Sequence, residues 1–107
     1  MTSLSTHVLD VERGQPAAGF RVVLYADGQV LAEGLTNAEG RVPRLAENLG
    51  PGIYSLTFEI ADYMRREQRP APFLQQVSLS LRVNPGDQHH HVPLLLSAYA
   101  CTSYRGS

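Results

Sequence analysis

The sequence contains no lysine: all nine basic residues of its 107 are arginine, and the formal net charge is −1. That absence removes Schiff-base catalysis by a lysine amine and any phosphate-binding loop that depends on one. The near-neutral balance gives no bulk attraction for nucleic acid. Cys101 is the only cysteine, so no intramolecular disulfide can form, and a reducing, cytoplasmic setting fits better than an oxidising one. Unbroken apolar runs last only a few residues, far short of a membrane span. The opening stretch MTSLSTHVLD has neither a charged n-region nor an apolar h-region, which predicts no secretory signal. A chain of this length supports one modest core, so a single domain over residues 1–107 is expected. Any catalysis must draw on histidine, arginine, carboxylates, hydroxyls or the one thiol.

What is present is mostly strand pattern. In GIYSLTFEI, Tyr54, Leu56, Phe58 and Ile60 share one face while Ser55, Thr57 and Glu59 share the other. VSLSLRV repeats the alternation, with Val77, Leu79, Leu81 and Val83 against Ser78, Ser80 and Arg82. Weaker alternation predicts strands over residues 4–11, 20–26 and 29–36, and further ones over 89–97 and 100–105. Turn signals separate them: Asp27-Gly28, Asn37-Ala38-Glu39-Gly40, Gly50-Pro51-Gly52 and Asn84-Pro85-Gly86. One helix is expected over ADYMRRE, with Asp62 capping its first turn and Pro70 blocking its continuation. Its arginines, Arg65, Arg66 and Arg69, read as a solvated face in preference to a nucleic-acid patch. Short strands, frequent turns and one small helix predict an all-β, two-sheet β-sandwich, a fold that by itself implies no function.

Three of the chain's four histidines are consecutive, in DQHHHVPLLL. An expression tag is a poor explanation, because the run is internal, short and followed directly by a strand. Side chains alternate across a strand, so His89 and His91 take one face and His90 the other. A zinc site would need His7 beside His89 and His91, and no Cys-x-x-Cys or His-Glu-x-x-His pattern supports it. A partly exposed strand start with no chemical role is the plain alternative. Against it stand polar residues that the strand pattern does not explain: His7 within the first strand, Arg41 directly after Gly40, and the terminal SYRGS. Such groups beside a sheet core must find a partner or line a cleft. Two imidazoles, an arginine and a tyrosine hydroxyl suit a small, planar, carbonyl-rich molecule. The chemistry they support is hydrolysis without a covalent intermediate: one histidine takes a proton from water, the other orients it or returns a proton, and arginine stabilises the oxyanion. Cys101 has no adjacent base and reads as a packing thiol.

These motifs taken in order, LSTHVLD and GQPAAGFRVVLY, then TNAEGR, HHHVPLLLSAY and the final YRGS, closely resemble the 5-hydroxyisourate hydrolases, the transthyretin-related enzymes of purine degradation. The resemblance spans essentially the whole chain. It implies the transthyretin-like (prealbumin-like) sandwich of eight strands and one short helix, assembled as a homotetramer with active sites at the dimer–dimer interface. It also implies cofactor-free, metal-free opening of 5-hydroxyisourate to 2-oxo-4-hydroxy-4-carboxy-5-ureidoimidazoline. The family's catalytic positions fall on His7, Arg41 and His91, and its substrate-binding positions on His7, Arg41, Tyr104 and Ser107. Where the family usually reads His-Tyr-His before Val-Pro, this chain has His90 in the middle, and SAYACTSYRGS replaces the more frequent SPYGYSTYRGS. Two other readings stand beside the hydrolase: a non-catalytic transthyretin-like carrier, and a sandwich serving adhesion or assembly. YRGS would narrow a carrier's channel and His7 with Arg41 would make its floor polar, while an assembly module gives no reason for His7, Arg41 and Tyr104 to occur together.

Overall fold

Alternation along the strands translates directly into two packed faces in the computed structural model, which describes residues 1–106. The elements run β1 (Thr2–Asp10), β2 (Gln15–Pro16), β3 (Arg21–Ala26), β4 (Gln29–Leu35), β5 (Arg41–Leu49), β6 (Gly52–Phe58), α1 (Ile60–Arg66), β7 (Val77–Val83), β8 (His89–Leu96) and β9 (Cys101–Ser103). One sheet has the order β4-β3-β6-β7, and all its pairings are antiparallel. In the other, β1 lies parallel to β8, β8 pairs antiparallel with β9, and the far edge of β1 is shared by β2 and β5. The two sheets enclose one apolar cluster that includes Leu4, Val8, Phe20, Leu24, Leu56, Phe58, Leu94 and Leu96. The all-β two-sheet sandwich with one short helix is therefore as expected.

On β1 the even positions Thr2, Leu4, Thr6, Val8 and Asp10 are all buried, and on β8 so are Val92, Leu94 and Leu96. The odd positions, among them Ser3, Ser5 and His7 on β1 and His89 and His91 on β8, take the outer face of the sheet. Polar members of the inner row are satisfied by hydrogen bonds. Thr6 donates to the Val92 carbonyl at 2.6 Å across the parallel pairing, and Thr2 to the Asp87 carbonyl at 2.5 Å just before β8 begins.

Two strands escaped the alternation pattern. β5 carries Pro43 and buries only Leu45 and Leu49 fully, as befits an edge strand that proline can enter without breaking a ladder. It also slips register twice against β1, between Thr2 and Leu4 and between Leu4 and Thr6, which erases a two-residue period. β2 is only two residues long. The remaining strands agree with expectation to within a few residues, except that the strand expected to reach Ile60 ends at Phe58 and Ile60 opens the helix.

The helix also corrects two expectations. Its N-cap is Glu59, which makes no side-chain cap bond. Asp62 instead sits inside the first turn and pairs with Arg65 at 3.6 Å and Arg66 at 3.5 Å. Gln68, at a φ of 56°, closes the helix in a Schellman arrangement: the Arg69 N–H donates to the Met64 carbonyl and the Gln68 N–H to the Arg65 carbonyl. Arg69 does not lie on a solvated face. Its side chain is only 15% exposed and pairs with Asp10, which is wholly buried, and with Glu12 at 2.7 Å. Tyr63 Oη donates to Asp10 at 2.9 Å, the Arg13 N–H donates at 3.2 Å, and Glu12 accepts the Ala98 N–H at 2.7 Å. One carboxylate cluster thus joins the end of β1, the helix and the segment after β8. No helix among the described residues is long and apolar enough to cross a membrane.

Burial alone would raise the Asp10 carboxyl, but bonds from Arg69, Tyr63 and the Arg13 backbone outweigh it and hold Asp10 below the ordinary carboxylate value. Burial, then Asp10, pushes the Tyr63 hydroxyl up to about 12, so it stays a donor. Asp10→Asn leaves a largely buried arginine short of its main partner and is expected to cost about 3–5 kcal/mol in urea unfolding at pH 7. Since the folded value is depressed, the Asp10 contribution is present in full above its unfolded value, about 3.9, and is lost as the pH falls through the folded one. The gap between parent and Asp10→Asn midpoints should therefore hold steady from pH 7 to 5 and narrow below about pH 4.

Candidate active site

Asn37 organises the turn that delivers Arg41. Its side-chain oxygen accepts the N–H groups of Glu39 at 2.9 Å and Arg41 at 3.0 Å, and its backbone bonds both Gly40 and Arg41. Gly40 has a φ of +77°, and a Cβ there would meet the Val8 carbonyl oxygen at 2.5 Å. Only glycine allows the turn to lie this close to β1, where the Gly40 carbonyl accepts the Val8 N–H at 2.7 Å. β5 then begins with Arg41 directly opposite His7. Directly opposed residues share a face, so both side chains stand on the outer side of the sheet.

The parallel pairing supplies the third member. Ser5 is opposite His91 and His7 opposite Pro93, so His91 stands one pair away from His7 on that outer face. Ser5 Oγ lies 2.7 Å from His91 Nδ1, and among the described residues none hydrogen-bonds Nε2. His7 Nε2 lies 3.0 Å from the Glu39 carbonyl. A carbonyl oxygen only accepts, so Nε2 carries the proton, and Nδ1 is the bare nitrogen of the neutral ring. The carboxy-terminal segment closes on His91 from another side. The Gly106 N–H donates to the His91 carbonyl at 2.6 Å, and a Cβ at Gly106 would meet His91 Cδ2 at 2.8 Å.

Electrostatics favour a neutral His91. Partial burial first, then the positive charge of Arg41 and the neighbouring His7 and His89, push its imidazole below the ordinary histidine value. Among the described residues no carboxylate lies within ion-pairing distance of Arg41, so its charge is free to act on a bound anion or oxyanion. A neutral imidazole beside an uncompensated guanidinium can accept a proton from water while the guanidinium holds negative charge developing on a carbonyl oxygen.

His7, Arg41 and His91 are thus brought together, and Tyr104 is not in the same group. It is 56% exposed and borders a cavity of about 300 Å³ on the other side of β8, with Leu79, Arg82, His90 and Arg105. Ser107 lies outside the described residues. His90 faces away from His91, bonded to Asp87 Oδ2 at 3.0 Å, as the strand period requires. Among the described residues no group of three or more histidine, cysteine or acidic side chains is arranged to hold a metal. Cys101 is half-buried against the core. Ser5 carries no signal in the sequence; only the parallel pairing with β8 gives it a role.

A profile of the HIUase/Transthyretin family matches residues 4–106. The 5-hydroxyisourate hydrolase of Pseudomonas aeruginosa is 43% identical, over all of this chain and 93% of its own length. That of Caulobacter vibrioides is 45% identical, with both chains covered in full. The solved structure of Klebsiella pneumoniae 5-hydroxyisourate hydrolase superposes with a TM-score of 0.92 at 36% identity, covering 100% of both chains.

Because Gly106 is packed on the imidazole ring, Gly106→Ala is expected to displace His91 while leaving the core intact. The thermal midpoint should fall by only a few degrees, about 1 kcal/mol in stability. The His91 ring resonances in a ¹H–¹³C spectrum should shift, and those of His90 should not.

Proposed function

The chain belongs to the HIUase/transthyretin family, and on that footing we propose that it is a hydrolase that opens 5-hydroxyisourate by cleaving a cyclic amide C–N bond, with His7, Arg41 and His91 as its catalytic residues. The observation that carries the assignment is the meeting of these three side chains on one face, through the His7–Arg41 and Ser5–His91 pairings. His91 Nε2 takes a proton from water as its oxygen bonds to the ring carbonyl carbon. Arg41 holds the resulting oxyanion, and His7 orients the water and the substrate. Collapse of the tetrahedral intermediate breaks the C–N bond, and the proton held by His91 passes to the leaving nitrogen, giving 2-oxo-4-hydroxy-4-carboxy-5-ureidoimidazoline with no cofactor. The reaction belongs to urate degradation in purine catabolism. Tyr104 and Ser107 are assigned to substrate contact on the strength of the terminal tetrapeptide alone.

The same reading makes the protein a single-domain, cytoplasmic homotetramer. The lone Cys101 suits a reducing compartment. The catalytic trio lies on an open sheet face, whereas such chemistry gains from exclusion of water, and a second copy laid on that face would enclose it.

The direct test follows the ultraviolet decay of freshly generated 5-hydroxyisourate. Decay no faster than the spontaneous rate would overturn the assignment. His7→Ala, Arg41→Ala and His91→Ala should each lower kcat by about 10²-fold or more, and His90→Ala should leave it within about two-fold of the parent, since His90 faces the opposite side. With the neutral imidazole of His91 as the base, the acid limb of the pH–rate profile should lie below the ordinary histidine value of about 6.5. Arg41→Gln, which removes a charge that holds His91 down, should move what activity remains to a limb at higher pH.

A further inference from the structure

The outer face of the β1–β8 pair carries a run of hydrogen bonds that the hydrolytic trio does not use. Ser5 Oγ lies 2.7 Å from His91 Nδ1 and 2.9 Å from His89 Nε2. His89 Nδ1 in turn lies 2.6 Å from Ser3 Oγ, and Ser3 Oγ lies 3.4 Å from the Gln88 carbonyl oxygen. Each hydroxyl has a single proton to donate, and each neutral imidazole has one N–H and one lone pair. The four groups therefore cannot orient independently, and one fixed end sets the direction of them all.

The Gln88 carbonyl, which can only accept and already takes the Ser3 N–H at 3.0 Å, offers one such end at the longer distance of 3.4 Å from Ser3 Oγ. With the Ser3 hydroxyl proton turned to that carbonyl, Ser3 accepts from His89 Nδ1–H. His89 Nε2 is then bare and accepts from Ser5 O–H. Ser5, its proton so committed, accepts from His91 Nδ1–H. The bare nitrogen of His91 is then Nε2, the one without a hydrogen-bond partner among the described residues. An imidazole left to itself favours the opposite arrangement, with its proton on Nε2, in which that nitrogen could not accept a proton from water.

We propose that Ser5 and His89 are positioning residues that hold His91 in its Nδ1–H form, so that Nε2 is the base. This rests on the reading of His91 as the catalytic base. It also gives His89 a role that alternation alone did not supply: it shares the face of His91 but stands one pair further from His7. His90, between them, is outside the chain of bonds. Ser5 is buried while His89 is exposed, so the chain runs from the partly buried His91 back towards the exposed start of β8.

The tautomer is read directly by long-range ¹H–¹⁵N correlation of the His91 ring in the intact protein, at a pH where it is neutral. The expected parent spectrum has Nδ1 protonated and Nε2 bare. Ser5→Ala and His89→Ala should each move His91 towards the Nε2–H form and lower kcat about ten-fold, with KM within about two-fold. Ser5→Thr, which keeps the hydroxyl, should restore both tautomer and kcat. His89 is exposed, so His89→Ala tests the idea even if Ser5→Ala folds poorly. A parent His91 with its proton on Nε2 would overturn the proposal, as would parent-like kcat in both alanine variants. Failure of the underlying reading looks different: His91→Ala would then turn over like the parent, while the tautomer shifts in Ser5→Ala and His89→Ala would still be seen.

Discussion

The parallel register between β1 and β8 is the constraint on which the site depends. A slip of one residue would turn His91 inward, bring His90 out and carry Ser5 away from both imidazoles it bonds. Several features of the inner face oppose that slip. Thr2 and Thr6 bond backbone carbonyls at and just before β8, and Leu4, Val8, Leu94 and Leu96 fill the shared core. At the far end, Asp10 is buried and held by Arg69 and Tyr63, so β1 cannot slide without stranding a carboxylate in the interior. The energy that locates the outer-face residues is thus supplied from the inner face.

The same strand pair divides structural from chemical duties by parity. Even positions of β1 are spent on burial, and odd positions carry Ser3, Ser5 and His7. On β8 the even residues include His90, whose imidazole is tied down beside Asp87, and the odd residues include His89 and His91. Three adjacent histidines therefore have three different surroundings: a carboxylate partner, two serines, and a serine with an arginine and a second histidine close by.

Much of this was legible from the sequence because strand alternation is a local property. His7, Arg41 and the terminal SYRGS stood out as polar residues that a strand pattern does not explain, strand parity separated His91 from His90, and the family resemblance pointed to His7, Arg41 and His91 together with Tyr104 and Ser107. β5 was not legible, since Pro43, sparse burial and two register shifts leave no period to read. Ser5 was invisible for another reason: a serine on a strand is ordinary, and its partners lie more than eighty positions away in the chain. Arg69 misled because helical spacing says nothing about a contact with Asp10, fifty-nine residues earlier. Asp62 misled because the helix begins before it, placing the carboxylate in the first turn beside Arg65 and Arg66.

Arg69 and Arg41 show how one residue type serves opposite ends. Arg69 has two carboxylates and little solvent, so its charge is consumed in holding β1 to the helix. Arg41 sits at the start of an edge strand with no carboxylate beside it among the described residues, and its field falls on His91. Pairing Arg41 as Arg69 is paired would quench a charge that, after burial, helps to hold the His91 imidazole below its ordinary value. Leaving Arg69 without its carboxylates would put a charge where little solvent reaches it. The fold tolerates Arg41 with no carboxylate beside it among the described residues because its side chain is exposed to solvent, and the hydroxyl–imidazole chain adds to the outer face a direction that charge alone does not set.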